Sequence, residues 1–171
     1  MEETDKKRQP IGRDLLFLLV KVLLFAGLVV SIFLFLIGAV RYPDSSMEPA
    51  IKAGDLVIYY RLDKSYSAGD TVVVEYEGEK QVRRVVAVEG DTVDIQEEGL
   101  YINGYLQEEP DIRGETKRFT QGPDFPITLE GGEYFLLADA REEGVDSRIY
   151  GTVSPDKILG KVMMTVRVRD I

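Results

Sequence analysis

The stretch from Val22 to Val40 constrains this chain more than any other. Its 19 consecutive residues carry no charge, and only Gly27, Ser31 and Gly38 interrupt the larger apolar side chains. As a helix rising about 1.5 Å per residue, the run reaches about 28 Å, close to the roughly 30 Å hydrocarbon core of a bilayer. Lys21 stands at its start, where the stem can lie along lipid while the ammonium reaches the headgroups. A cleaved leader carries a shorter apolar region and a small-x-small exit. The longer run, ending Gly38-Ala39-Val40-Arg41-Tyr42, favours an uncleaved anchor. Lys6, Lys7, Arg8, Arg13 and Lys21 precede it, and Arg41 stands alone just beyond. The positive-inside bias therefore predicts a cytoplasmic tail over residues 1–14, a transmembrane helix over 15–40 and an extracytoplasmic domain over 41–171.

The charge is distributed unevenly along these segments. Residues 1–40 carry a net +1, and the remaining 131 residues carry 16 basic and 26 acidic groups, a net −10. So acidic a body argues against nucleic acid as a partner, because phosphate recognition needs a basic patch. It also argues against electrostatic adhesion to anionic lipid. The chain contains no cysteine and no histidine. That composition excludes disulfides, thiolate metal sites, and the Ser-His-Asp and Cys-His arrangements. No metal or other cofactor is expected, and a nucleophile here must find its base among Lys, Asp, Glu and Tyr.

Beyond the apolar run the pattern is mainly β. Asp55–Tyr60 and Thr71–Tyr76 are β-branched and aromatic, and Gly54-Asp55 and Gly69-Asp70 precede them as turn signals. Glu77-Gly78-Glu79-Lys80 connects into Val82–Val88, and Thr92–Ile95 follows the Gly90-Asp91 turn. Asn103-Gly104, between Leu100-Tyr101-Ile102 and Tyr105-Leu106, signals a type I′ hairpin turn. Residues 107–130 hold Pro110, Pro123 and Pro126 and read as a long surface excursion. Strands are predicted again at Glu133–Leu137 and Leu159–Val168, with one short helix at Ser154–Ile158, Ser154 as N-cap and Pro155 in its first turn.

Three motifs then appear in order. Ser46-Met47-Glu48-Pro49 is followed by Gly54-Asp55-Leu56-Val57. Val82-Arg83-Arg84-Val85-Val86 leads to Glu89-Gly90-Asp91. Ala138-Asp139-Ala140-Arg141 leads to Asp146-Ser147-Arg148-Ile149-Tyr150-Gly151. Together with the anchor, these resemble the bacterial type I signal peptidases, Ser-Lys endopeptidases with a Ser-Met-x-Pro segment just beyond a membrane span. The resemblance implies an antiparallel, signal-peptidase-like β domain behind one transmembrane helix. It also implies residence in the bacterial plasma membrane, with the lipid bilayer and the signal peptides of exported preproteins as partners. The sequence is silent on oligomeric state.

By that resemblance Ser46 is the nucleophile and Arg83 holds the position of the lysine base. A guanidinium does not give up its proton in proteins, so Arg83 can orient a hydroxyl, pair with Asp146 or Asp44, or stabilise an oxyanion, but cannot serve as the usual base. From residue type alone, Arg83 reads equally well as an exposed strand cation. Asp44, two residues before Ser46, stands where some members place an oxyanion-binding hydroxyl, and an ionised carboxylate there would repel that charge. Gly144 replaces a serine that steadies the lysine, and Ala138 and Ala140 replace Gly and Asn. Asp146 and Arg148 look like structural partners that support the site, as do Met47 and Pro49. Met47, Tyr42 and the stretch Ile51–Val57 read either as a lip for lipid or signal peptide or as core. Lys52 and Lys80, in predicted turns, are weak candidates for a substitute base.

Two functions fit. One is a membrane-bound serine endopeptidase that removes signal peptides from exported preproteins. The other is a binding or chaperone protein of the same fold, impaired in catalysis, for surface-protein or pilus assembly. An intracellular self-cleaving repressor also uses Ser-Lys chemistry, but the N-terminal span argues against it.

Overall fold

The computed structural model describes residues 11–167. The chain divides after Leu36 into a helical unit and a β unit. Helix α1 (Ile11–Leu36) has Asp14 in its first turn, where a carboxylate complements the helix dipole. Leu15, Leu24 and Phe35 are 61%, 69% and 76% exposed, and among the described residues the apolar span Gly12–Leu36 has no buried side chain. Such a helix satisfies its backbone internally and leaves its side chains for lipid.

The uncharged run outlasts the helix. Ile37–Val40 continue not as helix but as strand β1 (Ile37–Arg41), antiparallel to β2 (Leu56–Tyr60), with Ile37 opposite Tyr60 and Arg41 opposite Leu56. The switch falls beside Gly38, where any Cβ would overlap the buried Tyr59 ring. The glycine therefore lets the two strands close over a large aromatic side chain.

The remaining strands are β3 (Thr71–Tyr76), β4 (Glu79–Ala87), β5 (Thr92–Gln96), β6 (Gly99–Ile102), β7 (Tyr105–Leu106), β8 (Ile127–Thr128), β9 (Phe135–Leu137) and β10 (Ile158–Val166). Two sheets result, ordered β1-β2-β10-β3-β4-β9 and β7-β6-β5-β8. Every ladder between these strands is antiparallel. The larger sheet is buried on both faces at its centre. Val72 and Val74 of β3 pack with Tyr66, Leu136 and Ile158, while Val73 between them packs with Tyr42, Met47 and Val82. A third cluster, including Ala87, Ile95, Leu100 and Phe135, joins residues of the two sheets. Residues 107–130 form the irregular excursion the prolines predict, broken by the two-residue β8.

The helix expected at Ser154–Ile158 is a single turn, closed by the Lys157 N–H on the Ser154 carbonyl. Val153 bridges Tyr134 and Ile158 already pairs with Val74, so too few residues lie between for a helix. The short helix of the β unit is instead α2 (Ser147–Tyr150), capped by Asp146 and ended at Gly151 with φ 79°.

Candidate functional site

The serine segment hangs from the end of β1. Tyr42 donates its N–H to the Asp55 carbonyl and accepts from the Gly54 N–H, which extends the β1–β2 pairing by one step. Pro43 and Asp44 then turn the chain, and Asp44 Oδ1 accepts the Ser46 N–H at 2.9 Å. A tight turn follows, with the Glu48 N–H on the Ser45 carbonyl and the Ile51 N–H on the Met47 carbonyl. Tyr42 and Met47 are fully buried with Ile51 and Val57, so these residues are core and not a solvent-facing lip. Pro49 is exposed, on the outer side of the turn.

Ser46 Oγ lies at the meeting point of three side chains. It donates to Asp44 Oδ1 at 2.8 Å and accepts from Arg83 Nη1 at 3.0 Å, and the Tyr42 hydroxyl stands 2.5 Å away. Ser46 is 1% exposed and Arg83 2%, so Arg83 is a buried cation and not an exposed strand residue. Its guanidinium is held by carbonyl oxygens. Nε and Nη2 donate to Val145 O at 3.0 and 2.8 Å, and Nη1 donates to Val82 O at 2.5 Å. No carboxylate forms a salt bridge with it among the described residues; Asp44 is reached through the Ser46 hydroxyl.

The two ionisable neighbours of Ser46 behave differently. Burial pushes the Tyr42 phenol above its ordinary range, and the carboxylate of Asp44 pushes it the same way, so Tyr42 keeps its proton at neutral pH. Burial also opposes the charge on Asp44. The Tyr42 hydroxyl, the Ser46 N–H and hydroxyl, and the Arg83 charge more than offset that effect and hold the carboxyl below the usual carboxylate range. Asp44 is also open to solvent on its outer side. Lys52 and Lys80 are both exposed side chains.

A buried polar frame supports the segment from below. Asp146, fully buried, accepts from the Arg148 N–H and Nε through Oδ1, and from the Ala138 N–H and Arg148 Nη2 through Oδ2. Arg148 also donates to the Arg141 carbonyl and lies 4.8 Å over the Phe119 ring. Asp146 and Arg148 thus join β9 to α2 and do not reach Ser46 Oγ. The Ala140 N–H donates to the Ser46 carbonyl at 2.9 Å, which ties this frame to the serine turn. Beside it Arg84 and Asp139 pair through two bonds, at 2.8 and 2.5 Å.

The family comparison bears on this arrangement. The family described as "Signal peptidase, peptidase S26" matches residues 15–167. The chain belongs to the signal peptidase family. Signal peptidase IB of Staphylococcus aureus is 30% identical over 146 residues, covering 75% of this chain and 76% of that protein. Signal peptidase I U of Bacillus subtilis (strain 168) is 28% identical over 168 residues, covering 92% and 88%. A crystal structure of a signal peptidase I from Enterococcus faecalis V583 overlaps 58% of this chain and 97% of that one, at 25% identity and a TM-score of 0.45.

For a signal peptidase, two residues escaped the sequence reading of the polar cluster. By residue type and position Tyr42 reads as an apolar neighbour, although its hydroxyl touches Ser46. The Val145 carbonyl, which holds the guanidinium, carries no signal in residue type at all. A third feature concerns two known departures. Gly144 is buried, and a Cβ there would overlap the methyl of Ala138 and come within 3.6 Å of Ser46 Cβ. The methyl at 138 thus occupies the space that a side chain at 144 would need.

Proposed function

We propose that this chain is a membrane-bound serine endopeptidase of the signal peptidase I type, with Ser46 as nucleophile, which removes N-terminal signal peptides from exported preproteins. The observation that carries the reading is the placement of Ser46 Oγ between the Asp44 carboxylate and the Arg83 guanidinium, at 2.8 and 3.0 Å. A serine hydroxyl needs a group that takes its proton and a charge that favours the oxyanionic form, and both kinds of group touch this one. Within this reading α1 is the anchor in the bacterial plasma membrane, the N-terminal tail is cytoplasmic and the β unit lies outside. Arg83 lowers the cost of charge developing on Oγ, while Asp146 and Arg148 hold the frame that positions the serine turn.

A second reading keeps the fold and gives up cleavage, with the β unit binding exported or pilus proteins. One observation favours it. Ser46 Oγ directs its proton at Asp44, accepts from Arg83 Nη1 and has the Tyr42 oxygen 2.5 Å away, so a carbonyl carbon can approach only if Arg83 or Tyr42 gives way.

The deciding assay uses the full chain in detergent with a preprotein bearing an Ala-x-Ala site. Endopeptidase activity predicts cleavage after the second alanine by wild type, reduced by on the order of 10⁶-fold in Ser46→Ala, the scale of the loss when a catalytic serine is removed. Absence of cleavage by wild type, with a gain in Arg83→Lys, would support the binding protein instead.

A further inference from the structure

We infer that Asp44 is the general base that takes the Ser46 proton, in the position where the family resemblance leads one to expect a group that binds the oxyanion. The inference rests on the endopeptidase reading for its substrate, but on geometry for the residue. Asp44 Oδ1 is 2.8 Å from Ser46 Oγ, within hydrogen-bond reach of the proton it would accept. The other groups in contact with Oγ are excluded on chemical grounds. Arg83 cannot deprotonate, and Tyr42 holds its proton well above neutral pH. Lys52 and Lys80 are solvated side chains that make no hydrogen bond to Ser46.

The step balances without any further group. The Oγ–H bond breaks and its proton passes to Asp44 Oδ1. The Oγ electron pair forms a bond to the scissile carbonyl carbon, and the carbonyl π pair moves to oxygen. The tetrahedral intermediate collapses with cleavage of the C–N bond, and the departing amine takes the proton from Asp44. Water then attacks the acyl ester, gives its proton to Asp44, and the Ser46 oxygen leaves with that proton.

This sequence removes the conflict raised by a carboxylate beside an oxyanion. Asp44 becomes neutral in the step that creates the oxyanion, so the repulsion disappears as the second charge forms. Neutralisation also weakens its hold on the Ser46 N–H, freeing that donor for the new charge. Arg83 Nη1 remains as the positive charge against Oγ throughout.

The acid limb of activity separates this base from a lysine. The charged and titratable groups facing Asp44 are the Tyr42 hydroxyl and the Arg83 guanidinium. Glu143, from the loop after β9, bonds the neighbouring Ser45 hydroxyl. A base whose pKa is lowered works above that pKa and fails only when pH falls through it. Wild-type activity should therefore persist in mildly acidic buffer, and its acid limb should lie below the midpoint of about 3.9 at which an unperturbed aspartate is half protonated. A lysine base fails much higher, near neutral pH, so the acid limb of Arg83→Lys should move up if its new amine takes over.

The experiment compares wild type, Asp44→Asn and Asp44→Glu in detergent. Each is tested on a peptide with alanines at the −3 and −1 positions and on the p-nitrophenyl ester ending at the −1 alanine. Asn keeps an oxygen that can accept the Ser46 N–H, so a purely structural Asp44 predicts an almost unchanged rate in Asp44→Asn. A general base predicts a loss of at least about 100-fold on both substrates with Tm held, partial recovery in Asp44→Glu, and a low acid limb in wild type. An Asp44→Asn rate within about threefold of wild type overturns the inference even if the peptide is cut. Asp44-dependent turnover of the ester without cleavage of the peptide upholds Asp44 and sinks the endopeptidase reading. Turnover of neither substrate sinks both.

Discussion

Asp146→Ala is expected to destabilise the β unit by about 3–5 kcal/mol, the range for removing one partner of a buried ion pair. The substitution leaves Arg148, 1% exposed, as an uncompensated buried cation. It also strips the cap from α2 and the acceptor from the Ala138 N–H, so three separate functions fall on one carboxylate. Equilibrium unfolding of the full chain in detergent measures the loss. Asp146→Ala combined with Arg148→Met should recover part of it, because a well-packed apolar replacement no longer leaves a stranded charge. A single-variant loss below about 1 kcal/mol, the scale of an exposed pair, would show that this frame is not what holds β9 to α2.

The second large effect concerns Ala138 and Gly144. The resemblance places Gly at the first position and Ser at the second, and this chain has the volume on the opposite side of the same contact. Gly144→Ser alone should overpack a buried site and cost about 1–3 kcal/mol. Because Val145 follows directly, the strain should also loosen the carbonyl that holds Arg83 Nε and Nη2, and so lower any Ser46-dependent rate. Ala138→Gly removes the methyl that a residue at 144 would strike. The double variant should therefore be more stable than the sum of the singles predicts, by about 0.5–3 kcal/mol in a double-mutant cycle. Additive effects would mean that the residues at 138 and 144 do not act as one packed unit. Coupling would mean that the departures from the family pattern form one repacked unit around the serine turn.

The fold was largely legible because its signals are local. Thr71–Tyr76 occupies the predicted span, and Asn103 and Gly104 adopt φ of 53° and 81° as a type I′ turn requires. The end of α1 was not legible, since Ile37–Val40 are as apolar as the residues before them. What turns them into a strand is the partner β2, some 20 residues later, and the fit of Tyr59 against Gly38. α2 lay within reach of a closer reading, as Asp146 and Gly151 bracket it with an N-cap and a C-terminal glycine.

At the site, the residues could be named but not their relations. Ser46, Asp44, Arg83, Asp146 and Arg148 all belong to one polar region, though they split into two groups. Asp44 and Arg83 touch the serine, and Asp146 with Arg148 build the frame. Residue type made Asp44 an opponent of the oxyanion, because the sequence could not show its carboxylate turned back onto the hydroxyl of Ser46. Nor could it show Arg83 buried under a carbonyl 62 positions away. Those features depend on β1, β4 and the loop after β9 meeting in space.

The central claim is that Ser46 attacks a peptide carbonyl. It is tested most directly by rapid acid quenching of wild-type protein during turnover of an Ala-x-Ala peptide, followed by mass spectrometry of the digested chain. The expected result is an acyl adduct of the N-terminal peptide fragment on the segment containing Ser46, absent in Ser46→Ala. Cleavage at the same bond with no adduct on that segment, and with Ser46→Ala as active as wild type, would contradict it.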